Sequence, residues 1–297
     1  MKRLMFLVAT VAMLFSCSKN EQPTGQMVDV KVALSGIDIQ VTPEDAKSTA
    51  SEAGVKRIAL SVFDLNGTLI TSATQNQDVD AANFGQPVTF RLPVGTYTFV
   101  AVAHGASSAL VPVATINSVT EFSLGSVEVS GKTYSIVQDV TISGNTTQSV
   151  TIDMGTRKNA SFGAWFTDAN PSDVKKIQLI VAPESAVYTD LKVNPSTGYA
   201  ASQWKYTKIY DMVAENIPST KNGKFNVPLM LTAATQTLDV IINALSATDE
   251  VLFTRTLLNV PFQQGHKTLA KGTFFSPEAT GSFTFDITEI NDTISLD

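Results

Sequence analysis

Val55-Lys56-Arg57-Ile58-Ala59-Leu60-Ser61-Val62-Phe63-Asp64, closed by Asn66-Gly67, sets the architecture to expect. Ile58, Leu60 and Val62 fall on one side of an extended chain, and Arg57, Ala59 and Ser61 on the other. Period-two alternation of this kind marks a half-buried strand. Asn and Gly tolerate positive φ, so Asn66-Gly67 predicts a hairpin turn into a run that starts at Thr68.

The same grammar recurs on both sides. Leu92-Pro93-Val94-Gly95 is a turn, because Pro93 presets φ and Gly95 relieves the exit. Residues 96–103 then place Tyr97, Phe99, Ala101 and Ala103 on one face, and residues 148–154 alternate Val150, Ile152 and Met154. Further strands are expected at 160–166, 176–181, 224–230, 236–244, 251–259, 267–275 and 281–287. Strands this close together, with turn residues between them, argue an all-β sandwich rather than βαβ units. Helical patterns are few: 201–216 through Trp204, Ile209 and Val213, and a second at 45–53 or 78–84. The polar break Gly155-Thr156-Arg157-Lys158-Asn159 divides the chain into β-sandwiches at 27–155 and 156–297, with no strong repeat between them.

The N-terminus has a different character. Lys2 and Arg3 precede an apolar run over 4–14, and the stretch ends at Leu14-Phe15-Ser16-Cys17. That is the layout of an export signal over 1–16. The run is too short to span a bilayer, which takes about 20 residues. Cys17 is the one cysteine of 297 residues, so after the signal there is no disulfide, zinc-thiolate site or thiol nucleophile to expect. The tetrad ending at Cys17 resembles the lipobox of bacterial lipoproteins, which makes Cys17 the expected site of lipidation, palmitate included. Residues 17–26 read as a polar tether reaching at most about 30 Å.

Composition excludes several classes. Charged residues are 16% of the chain and the net charge is −6, with no Lys/Arg run, so nucleic-acid binding has no electrostatic footprint. The two histidines, His104 and His266, have neither paired spacing nor a nucleophile motif beside them. Asp78 and Asp80 alone supply too few oxygens for calcium. No catalytic residue, cofactor or metal is expected. Trp204, Tyr206 and Tyr210, with Trp165 and Tyr199, either pack inside or, if exposed together, offer a platform for sugar rings.

Taken in order, several segments resemble one family. They are 55–64 with Asn66-Gly67, 92–101, Asn259-Val260-Pro261-Phe262, Gly265-His266-Lys267-Thr268 and Lys271-Gly272-Thr273-Phe274-Phe275, all behind a lipobox. The set is similar to the Bacteroidetes fimbrillin and fimbrial-anchor (type V pilus) lipoproteins. The resemblance implies two transthyretin-like (Ig-like) β-sandwich domains in tandem on an outer-membrane, cell-surface lipoprotein. It also implies partnership with other fimbrial subunits by strand addition, in which backbone hydrogen bonds give strength and alternate side chains fill pockets. Shaft subunits of that family lose an N-terminal segment after a basic residue; anchors keep theirs.

Between the tether and Arg57 the chain offers Lys31, Lys47 and Lys56 but no arginine. Lys47 lies in the polar stretch 44–54, where a protease could reach it, whereas Arg57 opens a strand. This favours an anchor or accessory subunit tethered through Cys17. Cleavage after Lys47 or Arg57 would instead make a polymerising shaft or tip subunit. A glycan-binding surface lipoprotein, with host glycans or proteins as partners, is the alternative from another class. At the C-terminus, Phe283, Phe285 and Ile287, then Ile294 and Leu296, form either a closing strand or one offered to a neighbour. A removable strand at 27–34 would mark the fimbrial reading.

Overall fold

The computed structural model describes residues 25–37, 54–106, 109–125, 131–144, 147–187, 190–212, 224–275 and 283–289. Every regular element among them is a strand. The first half holds β1 (Met27–Ser35), β2 (Val55–Phe63), β3 (Leu69–Asn76), β4 (Val88–Pro93), β5 (Gly95–Gly105), β6 (Thr115–Ser118), β7 (Glu121–Leu124), β8 (Thr133–Ile142) and β9 (Gln148–Asp153). The second holds β10 (Ala160–Phe166), β11 (Lys176–Val181), β12 (Leu191–Val193), β13 (Tyr206–Asp211), β14 (Lys224–Leu229), β15 (Thr235–Leu245), β16 (Val251–Gln263), β17 (His266–Gly272) and β18 (Thr284–Glu289). The all-β reading holds.

Alternation becomes packing in two cores. The sheet β4-β1-β9 and the sheet β3-β2-β5-β8 bury Val28, Val30, Val32, Leu60, Val62, Phe99 and Ile152 together. The sheets β14-β10-β17-β18 and β13-β11-β15-β16 bury Phe162, Phe166, Phe225, Phe262 and Ile242. A small third sheet, β12-β7-β6, crosses the sequence break: β7 pairs with β12, and Phe122 and Leu124 join the second core. Near the break itself the Asn159 side-chain oxygen accepts from Thr133 N at 2.9 Å and from Arg157 Nε at 2.7 Å. Ser135 Oγ donates to Pro195 O at 2.7 Å.

Both predicted turns form. Gly67 takes φ +78° and its N–H donates to Asp64 O, while the Asp64 carboxylate accepts from Asn66 N and Thr68 N at 2.8 Å each. Tyr97 reaches back over the second turn, its hydroxyl donating to Pro93 O at 3.0 Å.

The helical expectations are corrected. Within 201–216 the described chain forms β13, which pairs along β11 from Lys176↔Asp211 to Val181↔Tyr206. Ile209, counted for the helix's apolar stripe, is 48% exposed, and Tyr206 and Tyr210 face inward instead. Residues 78–84 are successive turns: Asp80 N donates to Asn76 O at 2.9 Å, and Asn83 N and Nδ2 donate to the Asp80 carboxylate. Asp and Asn side chains compete for the backbone donors a helix would need. The 45–53 expectation lies outside the described residues.

Candidate functional site

Val28, Val30 and Val32 are 2%, 0% and 1% exposed, while Met27, Asp29 and Lys31 between them face out. β1 therefore seals the first core with three alternate valines. It lies between two partners, antiparallel to β4 from Met27↔Pro93 to Val32↔Val88 and parallel to β9 from Val30↔Gln148 to Ser35↔Asp153. Leu92 and Phe90 stand beside Val28 and Val30, and Val150 beside Val32. Taking β1 away would leave β4 and β9 two strand spacings apart, about 10 Å, with unpaired backbone on both sides. The slot would admit one extended chain with small apolar residues at alternate positions. β1 is a central strand by pairing, yet it sits near the N-terminal end of the described chain and is followed by Gly36 at φ +71°.

The C-terminal candidates sit at an edge. β18 pairs with β17 alone, from His266↔Glu289 to Lys271↔Thr284. Phe285 and Ile287 share the face of Ala270 and Thr268, but each stays 39% exposed. Phe283 is partly buried against the second core. Upstream, the Asp168 carboxylate accepts from Phe274 N at 2.8 Å and from Phe275 N at 2.6 Å. Ile294 and Leu296 lie outside the described residues, as do Cys17 and Lys47.

Arg57 is fully buried. Its guanidinium donates to Val111 O at 2.9 Å, Lys56 O at 3.0 Å and the Asp78 carboxylate at 2.6 Å. A protease cannot take this side chain from the folded protein. Asp78, considered for calcium, serves this arginine, and Asp80 serves Asn83.

The aromatic residues do not form a platform. Trp204 and Tyr206 are 1% and 2% exposed, so neither offers a ring face to a sugar. The Tyr206 hydroxyl donates to Met230 O and accepts from Met230 N, and burial pushes its pKa up. Tyr210 packs on Phe225, its hydroxyl donates to Asn226 O, and burial pushes its pKa up to about 12. Trp165 is half-buried under the Lys271 ammonium, 4.3 Å from its ring centroid.

One pairing escaped the sequence reading. His104 stands directly opposite Thr133 across β5 and β8, and both are buried. His104 Nδ1 lies 2.8 Å from Gly105 O, and desolvation, aided by Arg57, lowers its pKa to about 4. Sealed from solvent, the pair has no route to a substrate. Among the described residues, no three His, Cys, Asp or Glu side chains gather as a metal site, and no helix is long and apolar enough to cross a membrane.

The family model for fimbrillin-A associated anchor proteins Mfa1 and Mfa2 matches residues 21–252. Among solved structures, the fimbrial anchor protein Mfa2 from Porphyromonas gingivalis is 11% identical, with 88% of this chain and 97% of that one covered at a TM-score of 0.47. A candidate cell adhesion protein from Parabacteroides distasonis is 15% identical, with 89% and 100% covered at 0.49. A candidate polysaccharide-binding protein from Bacteroides thetaiotaomicron is 14% identical, with 90% and 99% covered at 0.49. No curated protein matches the sequence at a significant level.

Proposed function

This chain belongs to the family of fimbrillin-A associated anchor proteins, and we propose that within it the protein is a lipid-tethered anchor or accessory subunit of a fimbrium. Its family is one of fimbrial anchors, not enzymes. The proposed tether is an acyl chain on Cys17, holding two β-sandwiches, 27–155 and 156–297, at the outer membrane. The proposed partners are other fimbrial subunits, joined by strand addition through the C-terminal arm.

One observation carries the reading: β1 continues from the tether and fills its own slot, with Val28, Val30 and Val32 buried. A subunit that keeps β1 cannot accept a neighbour's strand there, which suits the end of a fibre rather than its shaft. The shaft or tip alternative needs cleavage, and of its two candidate sites the burial of Arg57 leaves Lys47. The burial of Trp204 and Tyr206 counts against the glycan-binding alternative.

Intact mass and N-terminal sequencing of the protein taken from the cell surface test this. A chain from acylated Cys17 to Asp297 supports the anchor. A chain that starts after Lys47 and runs in a detergent-resistant ladder overturns it in favour of a shaft or tip subunit.

A further inference from the structure

Five exposed apolar side chains collect at one end of the first sandwich: Met27 at 44%, Leu65 at 69%, Leu69 at 51%, Ile70 at 44% and Val94 at 42%. Strand register places them together. Phe63 pairs with both Leu69 and Thr98, so the β2–β3 turn carrying Leu65 projects at the level of Thr96. Gly95 pairs with Ile142, which brings the β4–β5 turn beside the β8–β9 connection. Met27 pairs with Pro93 next to Val94. Across residues 25–27, 64–69, 93–97, 141–144 and 147–148 the one charged side chain is Asp64, whose carboxylate is occupied by two backbone N–H groups. Scattered exposed apolar residues are ordinary; a rim of five at one end, with Asp64 the one charge among them, is not.

The tether reaches the fold at this same end. Val94 N donates to Gln26 O at 3.1 Å, so the chain enters against the β4–β5 turn. Seven residues, Ser18 to Thr24, separate Cys17 from Gly25, a reach of at most about 30 Å. A lipid on Cys17 would hold this end, and not the junction with the second core, beside the bilayer.

We infer that this rim is a membrane-seating surface: Met27, Leu65, Leu69, Ile70 and Val94 rest in the headgroup region and set the protein upright on the bilayer. The inference rests on the proposed tether at Cys17. Apolar side chains partition into that region in proportion to the area they bury, and a seat fixes orientation where a flexible tether alone would not. The second sandwich would then point away from the membrane, toward a fibre.

The test supplies the tether chemically, so failure of acylation in cells would leave its result unaffected. Chain 17–297 is coupled through Cys17 to maleimide-phosphatidylethanolamine in phosphatidylcholine vesicles. Hydroxyl-radical footprinting then compares it with the same chain, thiol capped and free of vesicles. Oxidation at Met27, Leu65, Leu69, Ile70 and Val94 should fall several-fold on vesicles. Val79 and Leu110, at 81% and 91% exposure on the opposite end, should not change. The double variant Leu65→Asn/Leu69→Asn, altered only at exposed positions, should lose much of the protection while still tethered. Equal oxidation on and off vesicles would overturn the proposal. So would protection that appears in the capped chain as its concentration rises, which would assign the rim to a second copy.

Discussion

The Arg57 guanidinium donates to the Asp78 carboxylate at 2.6 Å, with the arginine side chain fully buried and the aspartate 31% exposed. The same guanidinium holds Val111 O and Lys56 O, so one side chain ties β2, the turn after β3 and the segment leading to β6. Removing the arginine leaves the buried Val111 O without its donor, while the part-exposed Asp78 can turn to water. Arg57→Met should cost about 1–3 kcal/mol. Arg57→Lys should recover only part, because an ammonium cannot reproduce the fork that serves three acceptors. Urea unfolding of both variants checks this; an Arg57→Met midpoint equal to the parent's would refute it.

His104 gives the fold a pH dependence of definite sign. Its folded pKa is depressed to about 4 by desolvation, against an ordinary 6.5 in the unfolded chain. The unfolded state therefore binds the proton first on acidification. The neutral His104 contributes fully above about pH 6.5, and that stability is lost as pH falls toward 4, up to about 3 kcal/mol. Acidification protonates other groups as well, so the comparison with a variant matters. His104→Gln should start less stable at pH 7.5 and change less between pH 6.5 and 4.5. Parallel stability curves for the two proteins would show that this histidine does not govern the acid response.

How far the sequence carried this reading depends on the period of each element. Residues 176–181 alternate cleanly and 160–166 form a short apolar run buried on both faces, and the strands observed there have the expected bounds. β6, β7 and β12 are three or four residues long, too short for a periodic signal. β13 was lost to a helical pattern read from Trp204, Ile209 and Val213, whose unequal spacing fits a helical turn only loosely, while the inward pair Tyr206 and Tyr210 fits either period. At the candidate site, the alternation of Val28, Val30 and Val32 was visible, but not that β1 lies between β4 and β9, because both pairings are long-range. The burial of Arg57 and Trp204 was equally invisible, since it depends on what packs around them rather than on their neighbours in sequence.

Val30 separates an intact anchor from a processed subunit. Its side chain is 0% exposed in the middle of β1, and truncation leaves a cavity the two flanking strands cannot close. Val30→Ala should cost about 2 kcal/mol, and Lys31→Ala, on the outer face, less than about 0.5 kcal/mol. The measurement belongs on protein recovered from the cell surface as well as on the recombinant chain. If surface protein keeps β1, its melting temperature falls with Val30→Ala in both preparations. If maturation removes β1, the surface protein is indifferent to residue 30.

Asp168 sets where the C-terminal arm leaves the fold. Its two carboxylate oxygens each accept a backbone N–H, from Phe274 and Phe275, and Phe274 stacks on Phe166 at 4.7 Å between ring centroids. Beyond that clamp, β18 is held by backbone pairing with β17 and by side chains that remain largely exposed. Charge-assisted bonds of this kind are stronger than neutral ones, and leaving buried donors unpaired costs about 1–3 kcal/mol. Asp168→Ala should therefore lower overall stability by that amount and loosen the strand downstream first. Amide exchange at 284–289 should speed up relative to 235–245, where β15 lies between two partner strands. An arm released in this way would also be freer to pair with a neighbouring subunit, so a pull-down with fimbrial subunits should change in the same variant. Uniform acceleration across both segments would mean that Asp168 supports the whole second core and gives the arm no pivot of its own.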